Sequence, residues 1–394
     1  MPREGFPREL LQAATSERLG YFRAYTIAHP RLKAVSDALW RAIQEPAGRA
    51  LILVIGPTGV GKTTLRLRME QELQQRFLAA GASEPGRIPV VGVEAVAPDS
   101  GTFSWKEYYR RALRALEEPL IDDKIDYATP HRFRNHAGEF TVPPRVGNPE
   151  LRQAMEQALR HRRPVAVLID EAQHVTKMAS GRRLADQLDC LKSLASLTGC
   201  VHVLIGTYEL LPCRNLSAQL SRRSIDLHFQ RYQVDKPDDV IAFQRVIFSF
   251  QRHLPLPQEP ELWRDWEYYY AQSIGCVGIL KDWFTRALAE ALAQGAPTLT
   301  RADLARHAWS LEQCEKMAQD ALDGEAVLAD QPEAMERLRT LLGLEAAPRV
   351  DTGSPRSRPP LRQATPGRER QPQGRRRVGV RRPGRDVIGM GGTD

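Results

Sequence analysis

The sequence has no run of 18 consecutive apolar residues and no pair of cysteines with the spacing C-x-x-C. The first absence excludes a membrane-spanning helix. The second, with only five scattered cysteines in 394 residues, argues against a disulfide scaffold or a zinc site. The N-terminal residues carry charges and lack the apolar segment of a secretory signal. We therefore expect a protein of the reducing cytoplasm that has no membrane partner.

The last 50 residues, 345–394, lack lysine and aromatic side chains. They hold 12 arginines and five acidic residues, a charge of +7, whereas the whole chain carries +8. The remaining body is therefore nearly neutral. A segment rich in arginine, proline and glycine cannot bury enough apolar surface to fold alone. We expect a disordered basic tail at 345–394.

Strand and helix patterns alternate up to about residue 229, and only helical patterns follow. Apolar runs that suit buried strands lie at 50–56, 88–93, 165–170, 201–206 and 225–229. This alternation is typical of an α/β fold with a parallel sheet. The expected organisation is an N-terminal helical segment (1–49), an α/β domain (50–235) with a proline-rich insertion (119–150), a small all-helical lid domain (236–344) and the tail (345–394).

A glycine-rich motif follows the first strand and opens a helix. It has the form G-x-x-x-x-G-K-[ST] and consists of Gly56, Pro57, Thr58, Gly59, Val60, Gly61, Lys62 and Thr63, with Thr64 next. Glycines let backbone N–H groups surround phosphate oxygens, and a helix N-terminus adds partial positive charge. In this pattern Lys62 reaches the β- and γ-phosphates and the Thr63 hydroxyl binds Mg²⁺. The motif predicts a site for ATP and Mg²⁺.

The strand at 165–170 ends in two carboxylates, those of Asp170 and Glu171. A carboxylate in this place suits coordination of Mg²⁺, so that Asp170 and Thr63 are the predicted metal ligands. Glu171 then polarises the attacking water as a general base. The two motifs together predict an ATPase.

A phosphate loop, an Asp-Glu strand and a following helical region resemble the AAA+ ATPase superfamily. The resemblance implies that Thr207, after the strand 201–206, is the sensor 1 residue and that Lys281 is sensor 2. It also implies that Arg222 or Arg223 reaches the γ-phosphate of a neighbouring subunit. Other roles stay open at each position. Thr207 can simply cap the next helix, and the basic side chains can be solvated surface charges.

Four segments, IDEAQHV, IGTYEL, QLSRR and GCVGILKDWF, together resemble the TniB/TnsC branch of AAA+ proteins. These proteins are ATP-dependent regulators of transposition, including those of CRISPR-associated transposons. The resemblance implies slow, assembly-dependent hydrolysis and homo-oligomeric rings or helical filaments on duplex DNA. It also implies a TniQ-like target selector and a transposase as partners. Two other functions stay open: a replication protein similar to DnaA or a helicase loader, and an ATP-locked scaffold with marginal hydrolysis.

Basic residues recur every four positions on the helix expected near 104–118. Lys106, Arg110 and Arg114 share one face and are candidate contacts to DNA phosphates. Aromatic residues interleave with them. The alternatives are a solvated basic face and a place in the core for the aromatic rings. The sequence permits DNA binding here without requiring it.

Overall fold

The computed structural model describes residues 5–46, 48, 51–81, 84–97, 101–123, 147–176, 182–214, 224–329 and 332–344. The chain divides into two compact units, Met1–Asp330 and Gln331–Asp394. The α/β sheet and the helices that surround the candidate site belong to the first unit. The predicted tail, 345–394, lies outside the described residues.

A sheet of five parallel strands forms the centre of the first unit. The strands are β1 (Leu51–Ile55), β2 (Val90–Glu94), β3 (Ala166–Asp170), β4 (Val201–Gly206) and β5 (Ser224–His228). Their order across the sheet is β2-β3-β4-β1-β5. Strands β1, β3 and β4 are buried along their whole length, because helices cover both faces of the sheet. The predicted parallel α/β fold is confirmed.

Helices precede and separate the strands. They are α1 (Thr15–Ala24), α2 (Pro30–Gln44), α3 (Lys62–Ala79), α4 (Trp105–Ala115), α5 (Asn148–Arg162), α6 (Gln173–Thr176) and α7 (Arg182–Thr198). One face of the sheet, which includes Leu53, packs against α4, α5 and α7. The other face, which includes Val54, packs against α2 and α3. Because successive side chains of a strand point to opposite faces, the sheet contributes to two separate apolar layers.

The register of the strands brings their carboxyl ends to one edge. Ile55 pairs with Gly206 across β1 and β4, and Glu94 pairs with Asp170 across β2 and β3. Segments that leave parallel strands at the same edge are the usual place for ligands in open α/β sheets. The glycine-rich loop, the two carboxylates and Thr207 therefore meet at this edge.

Helices follow β5 throughout the described part of the first unit, as predicted. They are α8 (Pro237–His253), α9 (Trp266–Ser273), α10 (Val277–Ala293), α11 (Arg301–Arg306) and α12 (Leu311–Leu328). Phe250, Trp283 and Phe284 are almost fully buried in their shared core. Among the helices of the described residues, none is both long and apolar enough to cross a membrane.

The two N-terminal helices join different cores. Phe22 of α1 is buried among the residues of the helical region, whereas Leu39 of α2 is buried against the sheet. The expected N-terminal segment is therefore helical, but its two helices do not pack as one unit. The link between them, 25–29, passes close to the glycine-rich loop, as described below.

Two segments of the expected organisation are only partly described by the structure, the helix after Thr207 and the proline-rich insertion. A helix is expected near 209–222, and the structure describes only its first part, which is a 3-10 helix, Tyr208–Cys213. Pro212 lies inside it and has no N–H to donate to an α-helical bond. Most of the proline-rich insertion, 124–146, lies outside the described residues. The second unit contains one described helix, α13 (Pro332–Leu341).

Candidate nucleotide-binding site

The glycine-rich loop connects β1 to α3 and needs glycine at two positions. Gly59 and Gly61 have φ angles of +72° and +112°, which side chains other than glycine rarely adopt. A Cβ atom on Gly59 would also lie 2.4 Å from Cγ1 of Ile279. Gly61 is the N-cap of α3, whose first N–H groups have no acceptor within the helix. The loop and the helix N-terminus therefore form a suitable anion site.

Lys62 is the first residue of α3 and is buried. Its Nζ donates to the carbonyl oxygens of Gly56 and Pro57, at 3.1 and 2.7 Å. Burial lowers the pKa of Lys62 from its usual range, and the nearby Glu171 carboxylate acts in the opposite direction. A buried ammonium whose hydrogen bonds go to loop carbonyls is poorly solvated, which favours contact with an anion.

The helical region touches the loop directly through the segment GCVGILKDWF. The N–H of Gly278 donates to the carbonyl oxygen of Gly59 at 2.7 Å. A Cβ atom on Gly278 would lie 2.4 Å from that oxygen. Gly275 has a φ angle of +74°, and Trp283 is buried and donates to the Leu304 carbonyl at 2.7 Å. The two glycines of this segment therefore have a structural role, because they let the start of α10 contact the phosphate loop.

Asp170 lies at the end of β3 with only 2% of its surface exposed. Its Oδ2 is 3.3 Å from Nε of Arg66, and Nη1 of Arg66 contacts Oε1 of Glu70 at 2.5 Å. Gly92 on β2 leaves room for this pair, because a Cβ there would lie 1.8 Å from the same Glu70 oxygen. Sequence reasoning missed Arg66, although its place four residues after Lys62 puts both on one side of α3.

Glu171 and Thr207 are linked through a residue that the sequence analysis also missed. Nε2 of Gln173 donates to Oε2 of Glu171 at 2.5 Å, and Oε1 of Gln173 accepts the N–H of Thr207 at 3.3 Å. Gln173 is 6% exposed. Its signals in the sequence are its place in the segment IDEAQHV and its position two residues after the predicted base. The structure thus brings the predicted base and the predicted sensor 1 residue to one side chain.

The hydroxyl of Thr207 is buried and has no hydrogen-bond partner among the described residues. It does not cap the 3-10 helix that follows. Thr207 borders a cleft of about 610 Å³ whose lining includes Pro57 and Thr58 of the phosphate loop. A buried hydroxyl without a partner fits a phosphate oxygen as its acceptor.

The residues predicted to hold Mg²⁺ lie at the same edge of the sheet. Thr63 is in the first turn of α3 and is exposed, and Asp170 is buried beside α3. The described residues contain no group of three or more histidine, cysteine or acidic side chains suited to a metal ion. Mg²⁺ at phosphate sites takes one or two protein ligands and completes its shell with phosphate oxygens and water.

Lys281 lies on α10 and lines a second, smaller cavity of about 50 Å³. Gly61 and Thr64 of the phosphate loop and Ile27 of the N-terminal segment line the same cavity. The ammonium of Lys281 donates to the carbonyl oxygens of Arg23 and Tyr25, and burial lowers its pKa. Its side chain is therefore near the predicted nucleotide, but its hydrogen bonds go to the N-terminal segment. Its role as sensor 2 stays a prediction.

Arg222 and Arg223, the predicted arginine fingers, lie outside the described residues. β5 begins at Ser224, directly after them, and its partner is β1. The chain position therefore agrees with the expectation that an arginine precedes the last strand. Which of the two acts, and whether it acts between subunits, stay predictions.

Comparison with family models matches residues 44–214 to the family described as "AAA domain". Residues 44–214 of this chain are thus similar to an AAA domain. The matched range contains the phosphate loop, the two carboxylates, Gln173 and Thr207. The α/β AAA+ fold expected from the sequence is therefore confirmed.

Among solved structures, this chain is similar to proteins of the ORC type. The ORC2 protein of Aeropyrum pernix, with ADPNP and ADP, is 16% identical over 74% of this chain and 71% of its own, with a TM-score of 0.49. The ORC1 protein of the same organism, in complex with DNA, is 16% identical over 88% and 78%, with a TM-score of 0.47. Drosophila ORC bound to DNA is 15% identical over 89% of both chains, with a TM-score of 0.44.

The predicted DNA-binding face lies on α4, at the β2 edge of the AAA domain. Lys106, Arg110 and Arg114 lie at least partly in solvent, whereas Tyr108 and Tyr109 are 3% and 2% exposed. The aromatic rings on this helix are therefore part of the core. Nη2 of Arg110 pairs with Oδ1 of Asp122 at 2.5 Å. Asp122 is exposed and lies in the short 3-10 helix that follows α4. The three basic residues therefore lie on a partly solvent-exposed face, and Arg110 is paired with Asp122.

Proposed function

We propose that this protein is an AAA+ ATPase that binds and hydrolyses ATP with Mg²⁺. The observation that carries the proposal is the meeting of four groups at one sheet edge. These are the phosphate loop with buried Lys62, the buried Asp170, Glu171 held by Gln173, and the hydroxyl of Thr207, which has no partner among the described residues. Each has a distinct task in phosphoryl transfer.

The chemistry follows from these positions. Loop N–H groups and Lys62 bind the phosphates of the ground state. Thr63 and Asp170 would hold Mg²⁺, which neutralises phosphate charge. Glu171 takes a proton from water as the water oxygen attacks the γ-phosphorus and the bond to ADP breaks. The Thr207 hydroxyl donates to a phosphate oxygen.

We further propose that the ATPase acts as an oligomeric, DNA-bound regulator of transposition. The support is the combined resemblance of IDEAQHV, IGTYEL, QLSRR and GCVGILKDWF to the TniB/TnsC branch. The solvent-facing basic residues of α4 and the arginine-rich tail supply charges for phosphate contacts. In this function ATP-bound subunits coat duplex DNA, connect a target selector to the transposase, and leave after hydrolysis.

A replication protein of the DnaA type would usually carry a separate DNA-reading appendage. The segment 300–314, whose sequence could contain a helix-turn-helix, forms α11 and the start of α12. Helix α12 packs against the AAA domain, since Gly324 lies against the ring of Tyr208. The helix also carries five acidic residues and only one lysine. Its net negative charge would repel DNA phosphates. This segment therefore gives the replication reading no added support.

Nucleotide binding and turnover test the first part of the proposal. Wild-type protein should bind a fluorescent ATP analogue and release phosphate, whereas Lys62→Ala should lose both. Lys33→Ala is the matched control, because Lys33 is exposed on α2. Unchanged hydrolysis by Lys62→Ala would show that the phosphate loop is not needed for ATP hydrolysis. Binding without measurable turnover in wild type would favour the ATP-locked scaffold.

Electron microscopy with duplex DNA tests the second part. With a nonhydrolysable ATP analogue, we expect rings or helical filaments on the DNA. With ADP, or with Lys62→Ala protein and the analogue, we expect far fewer. Monomers under every condition would contradict the assembly, while leaving the ATPase proposal to the turnover measurement.

A further inference from the structure

Gln173 occupies the position between the predicted general base and sensor 1. Its amide contacts Glu171 on one side at 2.5 Å and the backbone of Thr207 on the other at 3.3 Å. These two residues leave neighbouring strands, β3 and β4, and the side chain of Gln173 spans the gap between them. The bridge is buried, with Gln173 6% exposed.

The chemistry of the two partners determines the orientation of the amide. The N–H of Thr207 can only donate, so the atom facing it is the carbonyl oxygen of Gln173. The NH₂ group must then face the carboxylate of Glu171, which accepts. An amide is the side-chain group that supplies one acceptor and one donor in this arrangement. Neither a carboxylate nor an apolar group of the same size can replace both bonds.

The surroundings hold Gln173 in this place. A Cβ atom on Gly206 would lie 2.5 Å from the side-chain oxygen of Gln173 and 3.2 Å from its backbone nitrogen. Glycine at 206 therefore leaves the space that the amide fills. The hydroxyl of Thr176 donates to the Gln173 carbonyl oxygen at 2.7 Å and fixes the start of α6. The position of Gln173 therefore depends on Gly206 and Thr176 as well as on the two bonds of its amide.

We propose that Gln173 is a positioning residue that holds the carboxylate of Glu171 in the direction of the hydrolytic water. The inference rests on the proposed ATPase function and deepens it. During hydrolysis the water oxygen bonds to the γ-phosphorus, the bridging P–O bond to ADP breaks, and the water proton passes to Glu171. A carboxylate that rotates freely spends little time in reach of that proton. Gln173 removes this freedom and ties the base to the sensor 1 strand.

The test compares Gln173→Leu with a matched buried glutamine far from the phosphate loop. Gln251 on α8 makes the same two kinds of bond, donating to Oε1 of Glu259 at 2.8 Å and accepting the N–H of Leu262 at 2.7 Å. Both substitutions remove a buried amide that bridges a carboxylate and a backbone N–H. Gln251→Leu therefore reports the effect of lost stability alone.

We expect Gln173→Leu to lower kcat at least tenfold while KM and the Kd of a fluorescent ATP analogue change less than about threefold. Gln251→Leu should keep the wild-type kcat at temperatures where it is folded. Gln173→Glu keeps the acceptor for Thr207 but places a second carboxylate against Glu171, so kcat should fall as well. In a Glu171→Gln background, adding Gln173→Leu should change the residual rate less than about threefold, since no base remains to position.

Full activity of Gln173→Glu would overturn the proposal, because the bond to Thr207 would then be sufficient. A wild-type kcat for Gln173→Leu, or equal losses in nucleotide affinity and kcat, would also overturn it. These results differ from failure of the ATPase function itself. In that case wild-type protein would release no phosphate that depends on Lys62, and the inference would fall with the function on which it rests.

Discussion

Glu171 has a φ angle of +49°, a left-handed conformation that strains a residue other than glycine. Its N–H donates to Oδ1 of Asp170 at 3.0 Å, which fastens the backbone to the neighbouring carboxylate. Strain of this kind persists where surrounding contacts impose it, and it concentrates at functional sites. A strained turn here fits the proposed division of tasks, in which Asp170 holds the metal and Glu171 takes a proton from water.

Replacing Glu171 should therefore separate binding from hydrolysis. Glu171→Gln keeps the size of the side chain but cannot take a proton from water. We expect ATP affinity within about threefold of wild type and a fall in kcat of at least a hundredfold, within the range that general-base catalysis contributes. Phosphate release and equilibrium nucleotide binding measure the two effects. Wild-type turnover by this variant would show that Glu171 is not the base.

Gly278 offers a residue-scale test of the contact between α10 and the phosphate loop. Gly278→Ala places a Cβ atom 2.4 Å from the carbonyl oxygen of Gly59. Because that atom is backbone, the loop or α10 must move. We expect the Kd for ATP to rise at least tenfold and the free energy of unfolding to fall by about 1–3 kcal/mol.

Gly20→Ala is the control for this substitution. Gly20 lies inside α1, and a Cβ there meets no atom within 4 Å. Alanine should raise the free energy of unfolding by about 0.5–1 kcal/mol through helix propensity alone, with ATP affinity unchanged. Chemical denaturation and nucleotide titration report both quantities. Unchanged affinity in Gly278→Ala would show that the loop does not depend on α10.

At the scale of whole elements, α12 is fastened to the AAA domain by a buried ion pair. Nε and Nη2 of Arg231 contact both carboxylate oxygens of Glu325, at 2.9 and 3.1 Å. The two side chains are 11% and 13% exposed. Nη1 of Arg231 also donates to the Ile274 carbonyl oxygen at 3.2 Å, next to the turn that precedes α10. One guanidinium thus connects the segment after β5 to two parts of the helical region.

Breaking this pair should be costly. Glu325→Ala leaves the Arg231 charge buried without its partner, so we expect a loss of about 3 kcal/mol in the free energy of unfolding. Glu312→Ala, an exposed glutamate on the same helix, is the control and should change it by less than about 0.5 kcal/mol. Urea denaturation measures both. Equal effects of the two substitutions would mean that α12 does not depend on the pair.

The phosphate loop and the Asp170–Glu171 turn were predictable because each depends on consecutive residues. Glycines, a lysine and a helix start are all visible within eight positions. The strands were also predictable, because central strands of a parallel sheet are continuous apolar runs. The pattern after Thr207 predicted a helix but not its type, and the 3-10 helix at Tyr208–Cys213 contains Pro212, which has no N–H for an α-helical bond.

Residues that act across the sheet could not be found in the same way. Gln173 meets Thr207 only because β3 and β4 are neighbours, and Arg66 meets Asp170 only because α3 lies beside β3. In the sequence Arg66 is an ordinary polar residue, and Gln173 is part of the segment IDEAQHV with no sign of its partners. The role of Gly278 is similar, since its glycine requirement comes from a loop more than 200 residues earlier in the chain. Long-range packing determines these contacts, and local patterns do not record it.

At the scale of the whole molecule, the basic face of α4 gives the DNA-binding proposal a specific test. Lys106→Ala with Arg114→Ala should weaken duplex DNA binding, and each phosphate contact removed should reduce the slope of log K against log[salt] by about 0.9. Asp122→Asn frees Arg110 from its ion pair and should strengthen binding. Fluorescence anisotropy over a range of salt concentrations measures these changes.

The control for this face is Arg245→Ala, an exposed arginine on α8. If it weakens DNA binding as much as the α4 substitutions do, α4 contributes only to the total charge of the protein and makes no specific contact with DNA. If none of the substitutions changes affinity or slope, DNA contacts lie elsewhere, and the arginine-rich residues 345–394 are the next segment to remove.

Oligomerisation should be visible in the ATPase reaction itself. A guanidinium from a neighbouring subunit can stabilise charge on the transferring phosphoryl group, and Arg222 and Arg223 directly precede β5, where the resemblance places such a residue. Protein with both arginines changed to alanine should bind ATP but hydrolyse it poorly. Lys62→Ala protein has intact arginines but no working phosphate loop. Mixing the two inactive proteins should restore part of the activity, because mixed interfaces join a working loop to a working arginine. Recovery should peak at intermediate ratios and rise with protein concentration. No recovery at any ratio, under conditions where the wild-type protein assembles on DNA, would place these arginines outside the active interface.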